Sequence, residues 1–361
     1  MPTLAIAGGT SPSLGRAIIT ALLSSPRTTS WEAIILSRNT KLPLWLNAID
    51  EAGARTRVRA VDYLSVESLQ DALKDVHTVV SVTSAIDGSQ AQIQKNLLHA
   101  AVGARCKRFA PSQWAFGRKG EESISSVKWS SEGVWDECLK FKNTIECAKF
   151  NQGCFMNYLG LGIFPTPSQN DHKHSLQEFR AGGGYVAGED EACQGLQRQG
   201  DLKDGSGAFL VGLQNGIAEL PIKDDGSWPR ITMTSMRDVG RFFVESLELD
   251  KWEENMSMVG ETLTMGELLA HAEAVSGKKI QVKLVKRADL EKQLAEISPD
   301  DFMGQMWADF KLAYIRDLED EMVLKPVVNK LCSAVRPVTV REYLEKHWTD
   351  VPSMGNILLR R

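Results

Sequence analysis

The run Leu4 to Leu23, LAIAGGTSPSLGRAIITALL, constrains the fold more than any other part of the chain. Leu4-Ala5-Ile6-Ala7 is a short apolar stretch that suits a buried strand. Small residues follow, Gly8-Gly9-Thr10-Ser11-Pro12-Ser13-Leu14-Gly15. From Arg16 to Leu23 the apolar residues Ala17, Ile18, Ala21 and Leu22 return at helical spacing. A strand, a glycine-rich turn and a helix start make a cradle for phosphate: the glycines let the backbone turn sharply, and the helix N–H groups point at negative charge. Gly8, Gly9, Thr10, Ser11, Ser13, Leu14 and Gly15 are the residues such a cradle would present. Ser11-Pro12 stands where a middle glycine is usual, so an ordinary strand-to-helix turn remains open at this point.

The next segments repeat the strand–helix alternation. Strands are predicted over Trp31–Ser37, Arg55–Val61, Thr78–Val82 and Cys106–Ala110, with helices over Leu44–Ala52, Val66–Leu73 and Gln90–Ala101. This alternation implies an α/β, doubly wound parallel sheet of Rossmann type with right-handed crossovers. The second strand ends in Ser37-Arg38-Asn39, with Lys41 close by and no acidic residue at the tip. An acid there reads the ribose hydroxyl of NAD, whereas an Arg accommodates the extra phosphate of NADP, so Arg38 points to NADPH. Thr83 and Ser84 follow the fourth strand, where they should lie along a bound dinucleotide.

The chain has 361 residues, a formal charge of −4, 43% hydrophobic and 24% charged residues. This is the composition of an ordinary globular protein, with no case for nucleic acid or an anionic membrane surface. No apolar run reaches bilayer length. Six cysteines without CxxC spacing read as reduced thiols in a cytoplasmic protein, and the six dispersed histidines imply no metal site.

The phrases AIAGGTSPSLGR, ILSRN, AVDYLSVESLQDALKDVHTVVSVTS and KRFAPSQWAFG resemble the NmrA-like and isoflavone-reductase-like group of atypical short-chain dehydrogenases, fungal members in particular. The resemblance spans residues 3 to 285 and is strongest before residue 165. It implies a dinucleotide-binding domain over 1–160 and a smaller mixed substrate lobe over 161–361, partly interleaved with the first. The family carries a lysine phrase on a helix followed by a strand. Matched to Val134–Phe150 taken as one helix, it makes Lys142 the residue beside the nicotinamide, orienting it or assisting proton transfer; Lys140 and Lys149 read as surface lysines. Gln113 and Trp114, in the phrase after the fifth strand, and Tyr158, at the end of an expected sixth strand, are candidate substrate contacts. The Tyr-x-x-x-Lys pair of ordinary short-chain dehydrogenases is absent.

Further along, 165–207 reads as a long glycine-rich loop that includes Gly182-Gly183-Gly184, either a substrate-side lid with several glycines as hinges or a mobile surface insertion. Ala218–Ile222 and Arg230–Thr234 read as two strands joined through Asp224-Asp225-Gly226. Ser235 with Asp238, and Thr264 with Glu267, read as helix caps. Lys279–Val285 alternates like a strand, and Val340–Trp348 reads as a closing helix. The stripe Phe302, Met306, Trp307, Phe310, Leu312 and Tyr314 reads as core. The implied activity is NADPH-dependent reduction of a small aromatic or polyketide-like metabolite. Two alternatives stay open: a non-catalytic, dinucleotide-binding redox regulator acting through a partner, and a cofactor-free isomerase or cyclase. The oligomeric state is not legible.

Overall fold

The computed structural model describes residues 1–349 apart from 12, 51–52, 86, 160–163, 167–196, 204–206 and 299. The glycine run 182–184, and with it the expected lid, lies outside the described residues. The first half alternates as the spacing predicts: β1 (Thr3–Ala7), α1 (Leu14–Ser24), β2 (Glu32–Ser37), α2 (Leu44–Ile49), β3 (Thr56–Ala60), α3 (Val66–Ala72), β4 (Thr78–Ser81), α4 (Gln90–Gly103) and β5 (Arg108–Ala110). Three short helices follow, α5 (Arg118–Ser123), α6 (Ser125–Ser131) and α7 (Val134–Lys140), before β6 (Glu146–Cys147). These six strands form one parallel sheet in the order β3-β2-β1-β4-β5-β6. The order reverses between β1 and β4, and Ala7 at the end of β1 pairs with both Leu36 and Ser81. Three strand ends therefore open at one level, where a doubly wound sheet leaves its crevice.

Burial explains the sheet. Leu4, Ile6, Ile35 and Val80 face α1, whose Ala17, Ile18, Ala21 and Leu22 are all buried. Ala5, Ile34, Leu36 and Val79 face the other way, toward Leu69, Leu97 and Leu98 of α3 and α4. Each fully buried Leu or Ile contributes about 1.5–3 kcal/mol relative to exposure.

The predicted helix Val134–Phe150 is corrected. It ends at Lys140, and Thr144 and Ile145 donate back to the Phe141 carbonyl in a tight turn. The chain then enters the sheet as β6, pairing Glu146 with Arg108 and Cys147 with Phe109. Sheet pairing and burial of Ile145 override the local helical spacing.

The later chain builds smaller sheets: β7 (Cys154–Phe155), β8 (Phe164–Thr166), β9 (Gln197–Gln199), β10 (Val211–Gly212), β11 (Ile217–Pro221), β12 (Arg230–Thr234), β13 (Glu261–Thr264) and β14 (Gln281–Val285). β8 pairs antiparallel with β9, so the ends of the expected loop are sheet. β11 and β12 are not a hairpin: β11 lies between β10 and β14, whereas β12 lies between β13 and β7. Tyr158 is in a short 3-10 turn after β7, not at the end of the sixth sheet strand.

The remaining helices are α8 (Met236–Ser246), α9 (Met265–Ser276), α10 (Arg287–Glu296), α11 (Phe302–Arg316), α12 (Val327–Leu331) and α13 (Val340–Trp348). Ser235 caps α8 by accepting from the Asp238 N–H at 3.1 Å, and the Asp238 carboxylate accepts from Val338 N–H at 2.9 Å. Thr264 and Glu267 form the capping box of α9. α8 returns to pack along α1, so residues after 230 complete the first sheet's outer layer. Among the described residues, no helix is long and apolar enough to cross a membrane.

Candidate functional site

Two cavities open beyond the carboxyl ends of β1, β2 and β4. The larger, about 890 Å³, is lined by Gly8, Thr10 and Ser11 of the first loop, Arg38 and Asn39 after β2, and Thr83 and Ser84 after β4. Gly8 has φ +79°, and a Cβ there would meet the Thr83 backbone nitrogen at 3.1 Å. A Cβ on Gly15 would meet the Gly9 carbonyl at 2.9 Å. The loop can therefore lie tight against the start of α1 only with glycine at both positions. Ser13, the N-cap of α1, makes no side-chain capping bond, so the helix start is left to another partner. Gly9, Ser13 and Gly15 are not among the described lining residues; they shape the turn, and Leu14 lines the second cavity instead.

Tyr63, which the sequence reading passed over, ties this cavity together. Its hydroxyl accepts from the Gly8 N–H at 3.0 Å and donates to the Leu36 carbonyl at 2.7 Å. Burial pushes that hydroxyl up to about 12, against the Gly8 bond and the Arg38 charge, so it stays a neutral clamp. The signal was its place directly after the third strand. Arg38 is exposed at the mouth, and its charge reaches Asp87 across the opening. The loop after β4 is fixed by glutamines of α4: Gln94 Nε2 donates to Thr83 Oγ1 at 2.8 Å, and Gln90 Nε2 to the Thr83 carbonyl at 2.9 Å. Ser112 Oγ donates to the same carbonyl at 2.8 Å.

The second cavity, about 290 Å³, shares Val82, Thr83, Ser84 and Ala85 with the first. Gln113, Trp114 and Tyr158 all line it, and Trp114 is set by donating Nε1 to the Ser81 carbonyl at 2.6 Å. Its far wall is aromatic. Phe302, Met306 and Phe310 of α11 contribute to it, so part of the stripe expected as core walls a cavity. Among its described lining residues, the titratable groups are Glu121 and Tyr158. Three buried polar atoms of its lining lack a hydrogen-bond partner: Gln113 Oε1, Glu121 Oε1 and Ser126 Oγ. The other Glu121 oxygen pairs with Lys149 Nζ at 3.1 Å. Burial raises the Glu121 carboxyl above its ordinary value although Lys149 pulls it down.

The lysine expectation reverses. Lys142 is exposed in the turn before β6, at the amino edge of the sheet, and is not among the described lining residues of either cavity. Lys149, expected on the surface, is 1% exposed, packs over the Trp135 ring at 4.8 Å and holds Glu121. The structure places Lys149 inside because β6, not a helix, carries the chain into the core.

The NmrA-like family model matches residues 2–177. A curated relative, Oxidoreductase BOA1 of Botryotinia fuckeliana, is 27% identical over 282 residues, covering 77% of each chain. Among solved structures, the leucoanthocyanidin reductase–NADPH complex of Vitis vinifera superposes with a TM-score of 0.65 at 16% identity, covering 95% of this chain and 98% of that one. A chain from the pinoresinol-lariciresinol and phenylcoumaran benzylic ether reductases, described with their relationship to isoflavone reductases, also gives 0.65 at 16% identity, covering 96% and 100%. Over residues 2–177, the chain is thus similar to the NmrA-like family, and over nearly its whole length its fold is that of these reductases.

Proposed function

We propose that this protein is an NADPH-dependent reductase of the isoflavone-reductase type, acting on a small aromatic or polyketide-like metabolite. The observation that carries the reading is that a cavity of about 890 Å³ and an aromatic one adjoin, sharing Thr83 and Ser84, and that the aromatic one holds a buried carboxyl with a spare oxygen. The names of the relatives, an oxidoreductase and NADPH-bound reductases, support it. In this reading residues 1–160 form the nucleotide domain and 161–361 the substrate lobe, with α8 returning to the first.

The residues present fit the cofactor. The loop Gly8–Ser11 and the start of α1 would hold the pyrophosphate, and Arg38 the 2′-phosphate. Thr83 and Ser84 would lie along the nicotinamide side. When bound, NADPH supplies a hydride to an acceptor carbon. The acceptor oxygen or α-carbon then needs a proton, and Glu121, raised by burial and aimed by Lys149, gives it. Tyr158 and Trp114 orient the ring. Glu121 is reprotonated from solvent when product leaves.

A second reading, a dinucleotide-binding regulator, draws on one observation: Lys142 is remote from the aromatic cavity. One experiment separates the two. NADPH absorbance is followed with a panel of aromatic and polyketide-like ketones and enones. Oxidation that needs the panel compound supports the reductase. Tight NADPH binding with no oxidation across the panel favours the regulator.

A further inference from the structure

Behind the aromatic cavity lies a third, about 150 Å³, lined by none of the residues described for the nucleotide cavity. It shares Trp114, Phe116, Val127, Phe155, Tyr158 and Phe310 with the aromatic cavity, so the two adjoin. Its walls are apolar except for a few groups, and two of these are unusual. Gln152 and Tyr314 are each 1% exposed; Gln152 Oε1 has no hydrogen-bond partner, and Tyr314 Oη has none but the weak one of the neighbouring Cys154 thiol. Gln152 Nε2 is already used, donating to the Gly153 carbonyl at 3.2 Å, which leaves the oxygen as an acceptor. Leaving a buried polar atom orphaned destabilises the fold. Two in one cavity, on the substrate side of the fold, imply a partner that arrives.

The neighbouring charges narrow the chemistry of that partner. Cys154 lies beside Tyr314; burial pushes its thiol up to about 12 and holds the Tyr314 hydroxyl protonated. A thiol is a weak partner for a phenol. Asp201, whose charge reaches both groups, is held by Lys311 Nζ at 3.0 Å. The cavity thus offers one acceptor and one neutral donor, with a carboxylate behind them. An anionic group would oppose both Gln152 Oε1 and Asp201. A carbonyl would serve Tyr314 and leave Gln152 orphaned. A hydroxyl both donates and accepts, and satisfies the pair. A dry cavity of roughly 150 Å³ holds one benzene-sized ring.

We propose that the third cavity is a subsite for a hydroxyphenyl end of the substrate, read by Gln152 Oε1 and Tyr314 Oη, while the reacting part occupies the aromatic cavity. The assignment rests on the reductase reading for the identity of that substrate. Ordered water on the two orphans, with no ligand, is the competing explanation.

The test is calorimetric titration of the full chain, with and without NADPH, using 2-naphthol and 2-methylnaphthalene as probes. Wild type should bind 2-naphthol about tenfold more tightly, the equivalent of two neutral hydrogen bonds. Tyr314→Phe and Gln152→Met should each reduce that preference to about threefold, and the double variant should abolish it. Thermal melts monitor the fold; removing an orphan should leave the melting temperature unchanged or higher. If one variant fails to fold, the other and the wild-type preference still decide. Equal binding of the two probes to wild type, or a preference that survives both substitutions, would overturn the subsite. A preference that holds while NADPH neither binds nor is oxidised sinks the reductase reading and leaves the subsite standing.

Discussion

The two edges of the parallel sheet carry polar groups of opposite character. At the amino edge, Arg108 opens β5 and its guanidinium is fully used. Nε pairs with Glu146 at 2.8 Å, Nη1 and Nη2 donate to the carbonyls of Leu247, Leu249 and Asp250, and the Trp252 ring lies 5.1 Å away. Beyond the carboxyl edge, Gln113 Oε1, Glu121 Oε1, Ser126 Oγ, Gln152 Oε1 and Tyr314 Oη are buried and unmatched. A buried group that is satisfied holds the fold together, whereas one left orphaned on a cavity wall is open to water or a ligand.

The contrast can be broken in four ways. Arg108→Ala leaves the carbonyls of Leu247, Leu249 and Asp250 without their donors and takes the cation from Glu146, which keeps only the Trp252 N–H, so stability should fall by about 3 kcal/mol by denaturant titration. A variant as stable as wild type would show that the amino edge is not structural.

Glu121→Gln acts at the other edge. Turnover should fall about 100-fold, with thermal melts separating loss of the acid from loss of fold. Wild-type turnover should decline as pH rises through the raised Glu121 titration, and that limb should vanish in the variant. Because the folded-state carboxyl is raised, its stabilising contribution is present below the unfolded pKa and is lost as pH rises through the folded one. The variant should therefore lose less stability over that alkaline step. An unchanged pH profile would remove Glu121 from proton transfer.

Tyr63→Phe deletes the clamp between Gly8 and Leu36. A loss of about 1 kcal/mol, read as about fivefold weaker NADPH binding, is expected. Unchanged affinity would mean that the loop holds its shape without the clamp. The smallest effect belongs to Lys142→Ala, within about 0.5 kcal/mol of wild type and with unchanged turnover, as for an exposed side chain. A marked loss of turnover there would return the lysine to the chemistry.

What the sequence revealed follows from what is local. The strands β1 to β5, the helices between them, the Gly8–Gly15 turn and the Thr264–Glu267 box depend on nearest-neighbour periodicity and capping, and were legible. The segment 141–150 was not, because Glu146 and Cys147 pair with Arg108 and Phe109 of β5, far back in the chain, and Lys149 bridges to Asn255, far ahead of it. The same holds for β11 and β12: a turn-like Asp-Asp-Gly suggested a hairpin, but the partners of the two strands lie in different sheets. Gln94, Glu121, Gln152 and Tyr314 carry no local mark. Whether a polar atom is matched depends on which distant side chains surround it.

The decisive measurement is a calorimetric titration of wild type and Arg38→Ala with NADPH and NADH. Wild type should bind NADPH about 10- to 100-fold more tightly than NADH, the equivalent of charge-assisted bonds to one phosphate, and Arg38→Ala should bring the two together. No binding of either dinucleotide, or a preference untouched by the substitution, would contradict the assignment of the carboxyl-edge cavity to NADPH.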